Sequence, residues 1–283
     1  YFVHLPGIQA AGDVIDALRE QDPEVRLELF QRAFDRDSFA QQELTEQLSQ
    51  QAMTFARDAQ VPAEIRDAYL AETQTRLEIL QEQKPGDARV HVFIGSYYRS
   101  IGDYEKAAQQ MQTAHELSPE KQAIILQQGF VALSQNDNPA AVDYFQKAFK
   151  LDERNPEARE YYAASLFYVD RGDEAIALMN SPAVERRFAG SEFLISAANQ
   201  QGRADFAAEL FEIRVQTEPD AQQSWRMEPQ NWATLAFLYY ELEDTQKAVA
   251  TLEEAMQVIP DFAPTAQCIA GNIEAGNDPQ EGC

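Results

Sequence analysis

From Ala88 onward, small, bulky and turn-forming residues return on a 34-residue grid, as from Gly95 to Gly129. The first unit reads Ile94-Gly95, Tyr98, Gly102-Asp103-Tyr104, Ala107, Met111, Ala114 and Pro119. The second gives Gly129, Asn136-Asp137, Ala141, Phe145 and Ala148, with Pro156 just beyond the closing place. A later unit from Pro229 gives Trp232, Leu235-Ala236, Tyr239, Asp244, Ala248, Leu252, Ala255 and Pro260. Between them "SEFLISAANQQGRADFAAELFEIRVQTEP" supplies Leu194, Ala198, Gly202, Ala207, Phe211 and Pro219. A recurrence of this length restricts the chain to stacked supersecondary units, because one unit alone cannot bury its apolar face.

Each unit reads as two helices around a turn. Gly95 in mid-helix costs about 1 kcal/mol of propensity, and close crossing of two helices at Gly95, Ala107 and Ala114 is the compensation. Tyr98 and Met111 then fill the seam, Gly102-Asp103 is the turn, and Pro119 closes the unit. These residues resemble the tetratricopeptide repeat family. That resemblance implies an all-α fold: a right-handed α-solenoid of helix pairs whose first helices line a concave groove. Pairs are predicted over 88–120, 122–151, 156–179, 190–218 and 229–259, with a final helix over 264–274. The unit from Pro156 departs from the grid. Its turn is placed at Gly172-Asp173, with a short helix after it and a loop or extra turn over 180–190. A second irregular joint, "PDAQQSWRMEPQ", holds Trp225, read as tucked against the stack or as part of a binding loop.

The front of the chain is helical but off the grid. Asp22 and Pro23 suit an N-cap and first helical position, and Leu27, Phe30 and Phe34 form a stripe. Leu44, Leu48 and Phe55 mark a second helix, and Ile65, Tyr69, Leu77 and Leu80 a third. The organisation expected is a tether with a short helix over 1–21 and an N-terminal helical cap over 22–87. Repeats follow over 88–179, an irregular joint with further repeats over 180–262, and a capping helix and tail over 263–283. The phrases "DPEVRLELFQRAFDRDSFAQQELTEQL" and "VPAEIRDAYLAETQTRLEIL", followed by "DARVHVFIGSYYRSIGDYEKA", resemble the C-terminal region of O-antigen ligase or polymerase-like bacterial membrane proteins. This second resemblance implies an extracytoplasmic repeat domain behind a membrane-embedded glycan-handling region. "YFVHLPG" would be the exit from the last span. Any catalytic residues would lie in that membrane region, so none is carried over.

Composition narrows the chemistry. A formal charge of −24, from 47 acidic and 23 basic side chains, repels nucleic-acid backbones and points to partners with basic residues. No stretch approaches the ~18 apolar residues of a membrane span. Cys268 is read as a buried thiol in preference to a disulfide with Cys283, although spacing alone decides neither. The three histidines have no metal-binding frame, and His91, at the grid place of Trp232, reads as a packed ring. Neither a zinc-spaced cysteine pair nor a glycine-rich phosphate loop is present. Acidic pairs such as Glu43 with Glu46 are what any acidic helix supplies. No catalytic, cofactor-binding or metal residue is assigned.

The groove is what remains. Its predicted lining is Val92, Ser96 and Arg99, then Leu126, Phe130 and Leu133, then Glu160 and Phe167, and finally Phe237 and Tyr240. Large apolar side chains at such places either grip a protein or peptide segment through pockets or meet a neighbouring element of a tight superhelix. Joined to the second resemblance, they imply a non-catalytic scaffolding domain of surface-glycan assembly on the extracytoplasmic face of a bacterial membrane. A cytoplasmic adaptor of the same fold, and a glycan-binding or acidic-site enzyme domain, are the alternatives.

Overall fold

The computed structural model describes residues 4–36, 38–220 and 223–283, and all regular structure among them is helical. The chain forms two compact units, Tyr1–Asp137 and Asn138–Cys283. The first contains α1 (His4–Arg19), α2 (Pro23–Phe34), α3 (Gln41–Arg57), α4 (Ala63–Gln83), α5 (Ala88–Ser100), α6 (Tyr104–Leu117) and α7 (Gln122–Ser134). The second contains α8 (Asn138–Leu151), α9 (Pro156–Phe167), α10 (Gly172–Ala177), α11 (Pro182–Ala189), α12 (Glu192–Gln200), α13 (Ala204–Gln216), α14 (Pro229–Glu241), α15 (Thr245–Val258) and α16 (Ala263–Ala275). One-turn 3-10 helices stand at Trp225–Met227 and Pro260–Phe262. No described helix is long and apolar enough to cross a membrane. The expectation that "YFVHLPG" leaves a span falls partly on residues 1–3, which lie outside the described residues.

The grid has a backbone cause. Among the described residues, five end first helices in the left-handed region: Gly102 (φ 86°), Asn136 (59°), Asp170 (57°), Gly202 (68°) and Glu243 (61°). After each, the next N–H donates back five residues, as Asp103 N to Tyr98 O at 2.9 Å and Asp244 N to Tyr239 O at 2.9 Å. The same bond joins Asp137 to Ala132, Arg171 to Leu166, and Arg203 to Ala198. This closure satisfies carbonyls that the helix end leaves open and reverses the chain within a few residues. Asp103 and Asp244 then cap the next helix, accepting from Lys106 N and Lys247 N.

The third turn differs from the sequence expectation. It centres on Asp170, on the grid, and Gly172 is already the first residue of α10. Gly172 serves close approach instead, since a Cβ there would stand 2.6 Å from Arg203 Nη1 and 2.8 Å from Phe167 Cε1. α10 is short, as expected. The segment expected as a loop or extra turn over 180–190 contains a helix, α11, whose Phe188 is fully buried.

In the first unit one core runs from Phe30 and Leu48 through Tyr69 and Leu77 to Ile94, Tyr97 and Met111. Asp22 caps α2 by accepting from Glu24 N and Val25 N, and Pro23 takes the first helical place. Where the sequence suggests a tether with a short helix over 1–21, α1 spans His4–Arg19, a longer helix than that reading gives. α1 packs on α2 through buried Ala10 and Ala17, and nearly buried Asp13 accepts from Arg32 and Arg36 at 2.9 and 3.0 Å. The free-thiol reading of Cys268 is also overturned: Cys268 and Cys283 form a disulfide. The tail reaches back because Pro279 is buried and Asn272 Nδ2 donates to Glu281 O at 2.8 Å.

Candidate functional site

In the first unit the expected wall residues come together. Arg89, Val92, Ser96 and Arg99 recur at helical spacing, so they share one face of α5. α7 packs beside it and presents Ala123, Gln127 and Phe130 at the same spacing. Val92, Ser96, Arg99, Phe130 and Leu133 are half-buried, whereas Leu126 is turned inward and only 6 % exposed. The Arg99 guanidinium lies 5.9 Å above the Phe130 ring centre. Within cation–π range, that contact ties the polar end of one wall helix to the aromatic side chain of the other.

The N-terminal end of this wall opens into a cleft of about 1000 Å³. The turn before α5 contributes Lys84, Pro85 and Asp87, and α5 itself contributes Ala88, Arg89 and Val92. From the other side come Ser118, Lys121, Ala123, Ile124 and Gln127. The turns are shaped locally. Asp87 caps α5 by accepting from Arg89 N at 3.0 Å, and the Arg89 guanidinium donates to the same carboxylate at 3.1 and 2.8 Å. Those bonds, the side-chain ones first, hold the Asp87 carboxyl down at about 2. Behind the wall, His91 is 2 % exposed and its ring nitrogens meet Gln110 Oε1 and Pro85 O at 2.8 and 2.9 Å. The imidazole is a packed ring that fixes the turn, as its grid place suggests.

The expected wall residues of the second unit meet other fates. Phe167 is 1 % exposed and stacks on Phe206 with centroids 5.1 Å apart, so it belongs to the core and not to an open groove. Glu160 pairs with Arg187 of α11 at 2.7 Å. The inserted helix α11 thus engages the α9 face that the repeat pattern leaves open. Phe237 and Ala233 line a smaller cavity of about 340 Å³, with Phe262 and Ile269 beside them and the tail residues Gln280 and Cys283 at its edge. Tyr240 is half-buried one turn on along α14.

Trp225 is tucked. It lies against Gly190, where a Cβ would stand 3.1 Å from its ring, and Arg214 sits 5.6 Å over it. Its other neighbours around a cavity of about 680 Å³ include Glu160, Arg186 and Asp220. Sequence reasoning misses two features. One is the pair Lys84 and Lys121, which only the fold brings to a common rim. The other is Arg214, 6 % exposed, whose guanidinium donates to Ala189 O at 2.6 Å and Asn231 Oδ1 at 3.2 Å. Its place on α13 carries no signal, since a cation on an acidic helix ordinarily reads as solvated. Among the described residues no group of three or more His, Cys, Asp or Glu could hold a metal ion.

Comparison with known proteins agrees with this architecture. Residues 88–121 and 229–262 each match the tetratricopeptide repeat model. A tetratricopeptide repeat protein from Parabacteroides merdae shares the fold, with a TM-score of 0.50 and 14% identity over 93% of this chain and 99% of that one. MamA is similar at 17% identity, covering 62% of this chain and 94% of its own, with a TM-score of 0.42. YrrB, described as a tetratricopeptide protein with an unusual peptide-binding site, is 18% identical over 68% of this chain and 97% of its own, with a TM-score of 0.41. No curated protein sequence matches.

Proposed function

We propose that this chain, a tetratricopeptide-repeat protein, is a non-catalytic interaction domain that holds a polypeptide segment on the α5–α7 wall of its first unit. The observation that carries this reading is the cleft beside Val92 and Ile124, which continues along the half-buried face bearing Ser96, Arg99 and Phe130. A cleft of about 1000 Å³ falls at the upper end of the size of small-ligand sites. Aromatic anchors in such a site concentrate binding energy. Phe130→Ala should weaken capture of a cognate peptide more than tenfold. Phe237→Ala, whose ring borders the tail-edged cavity of the second unit, should change it little. Calorimetry of both variants decides; equal binding by wild type and Phe130→Ala removes the wall from the account.

The finer reading places this domain on the extracytoplasmic face of a bacterial membrane, in a protein of surface-glycan assembly. Two things support it: the resemblance of the front phrases, and the Cys268–Cys283 disulfide, since such bonds persist in oxidising compartments. In cells producing the native protein, a thiol-alkylating reagent should label Cys268 and Cys283 only after reduction. Labelling without reductant contradicts the placement and favours a cytoplasmic adaptor. A glycan held at Trp225 is the second reading, favoured by the polar side chains of Glu160, Arg186 and Asp220 around the same cavity.

A further inference from the structure

The charge of the whole chain and the charge of the cleft have opposite signs. Four charged side chains line the cleft: Lys84, Asp87, Arg89 and Lys121. Asp87 and Arg89 neutralise each other through the bonds described above. Lys84 Nζ donates to the neutral amide oxygen of Gln42 at 2.6 Å, and Lys121 forms no ion pair among the described residues. Both lysines are exposed. Asp87 also attracts Lys84, so three cations against one carboxylate leave an excess of positive charge at the rim of an apolar floor made by Pro85, Val92 and Ile124, in a chain of net charge −24.

We propose that the segment held here is acidic, presenting an apolar side chain to the floor between Val92 and Ile124 and carboxylates to Lys84 and Lys121. This rests on the peptide-binding reading above and specifies its partner. The distance dependence of electrostatics decides between the two signs. At physiological salt, exposed charges more than about 8 Å apart are largely screened, so the distributed negative charge sets long-range encounter while the nearest groups set local affinity. The lysines are those groups. A nucleic-acid strand also carries anions, but two rim cations are too few to offset repulsion between its backbone and the remaining acidic surface. The apolar floor calls for an anchor side chain.

The test is selection from a random-peptide library on the full chain, followed by binding of the selected peptides to wild type and to the double variant Lys84→Glu with Lys121→Glu. Both substitutions lie on exposed side chains, and an unchanged melting curve verifies the fold. The selected peptides should carry Asp or Glu flanking an apolar residue, and the double variant should bind them roughly tenfold more weakly. Tenfold corresponds to about 1.4 kcal/mol, reasonable for reversing two exposed pairs. Selected peptides that are basic or uncharged, or that bind the double variant as well as wild type, overturn the acidic partner while the peptide-binding reading stands. If no peptide is selected at all, both fall.

Discussion

Gly95→Leu is expected to lower the unfolding free energy by about 3 kcal/mol or more, read as a fall in the urea midpoint at unchanged slope. Even a bare Cβ at residue 95 would stand 3.0 Å from Met111 Cε, 3.2 Å from Ala107 O and 3.2 Å from Gln110 Cβ. A methionine end can swing aside, but the Ala107 carbonyl belongs to the backbone of α6 and moves only with the helix. Interiors are packed too densely to absorb a larger side chain there without parting α5 from α6. Gly95→Ala separates the causes. Its gain in helix propensity, about 1 kcal/mol, opposes the tight contact, so the net change should be small. An unchanged midpoint in Gly95→Leu would show that the two helices are not in contact at this place.

Arg214→Ala should cost about 3 to 4 kcal/mol, the other large effect. The guanidinium ties four elements together. It donates to Ala189 O of α11, Asn231 Oδ1 of α14 and Glu192 Oε1 of α12, and it lies 4.5 Å over Phe211 of its own helix. The pairing with Glu192 is worth little by itself, since that carboxylate is 79% exposed and exposed pairs contribute little. The larger loss is the carbonyl of fully buried Ala189 and the amide of nearly buried Asn231, each left without this donor, together with the vacated space. Arg214→Lys should rescue little, because an ammonium cannot serve three divergent acceptors in one plane. Thermal or urea unfolding reads the loss, and a change under about 1 kcal/mol, the worth of one ordinary hydrogen bond, would contradict the hub.

The repeats are legible because their constraint is local. A left-handed residue followed by a helix cap favours Gly, Asn or Asp at a fixed place, and Gly102, Asn136 and Gly202 announce it. Glu243 adopts the same conformation without announcing it, and the surrounding Tyr239, Asp244 and Ala248 carry that unit. Gly172 misleads, since one residue type serves both left-handed turns and close approach, and sequence does not distinguish them. α1 is under-read for a different reason: its buried face is alanine and an ion-paired aspartate, which give no apolar stripe. Phe167 sits at a wall position by period, but its ring packs on Phe206. That contact between α9 and α13 depends on the fold and not on spacing. The rim of Lys84 and Lys121 is illegible, because residues far apart in sequence meet there and net charge suggests the opposite partner. A disulfide across two cysteines near one end is likewise beyond spacing alone.

The central claim is that the α5–α7 wall holds a polypeptide. Amide hydrogen exchange of the full chain, with and without a saturating library-selected peptide, addresses it most directly. Slower exchange is expected over residues 84–99 and 118–133, with the second unit unaffected. Unchanged exchange there, or protection only at residues 186–191 and 223–227 around Trp225, would contradict it.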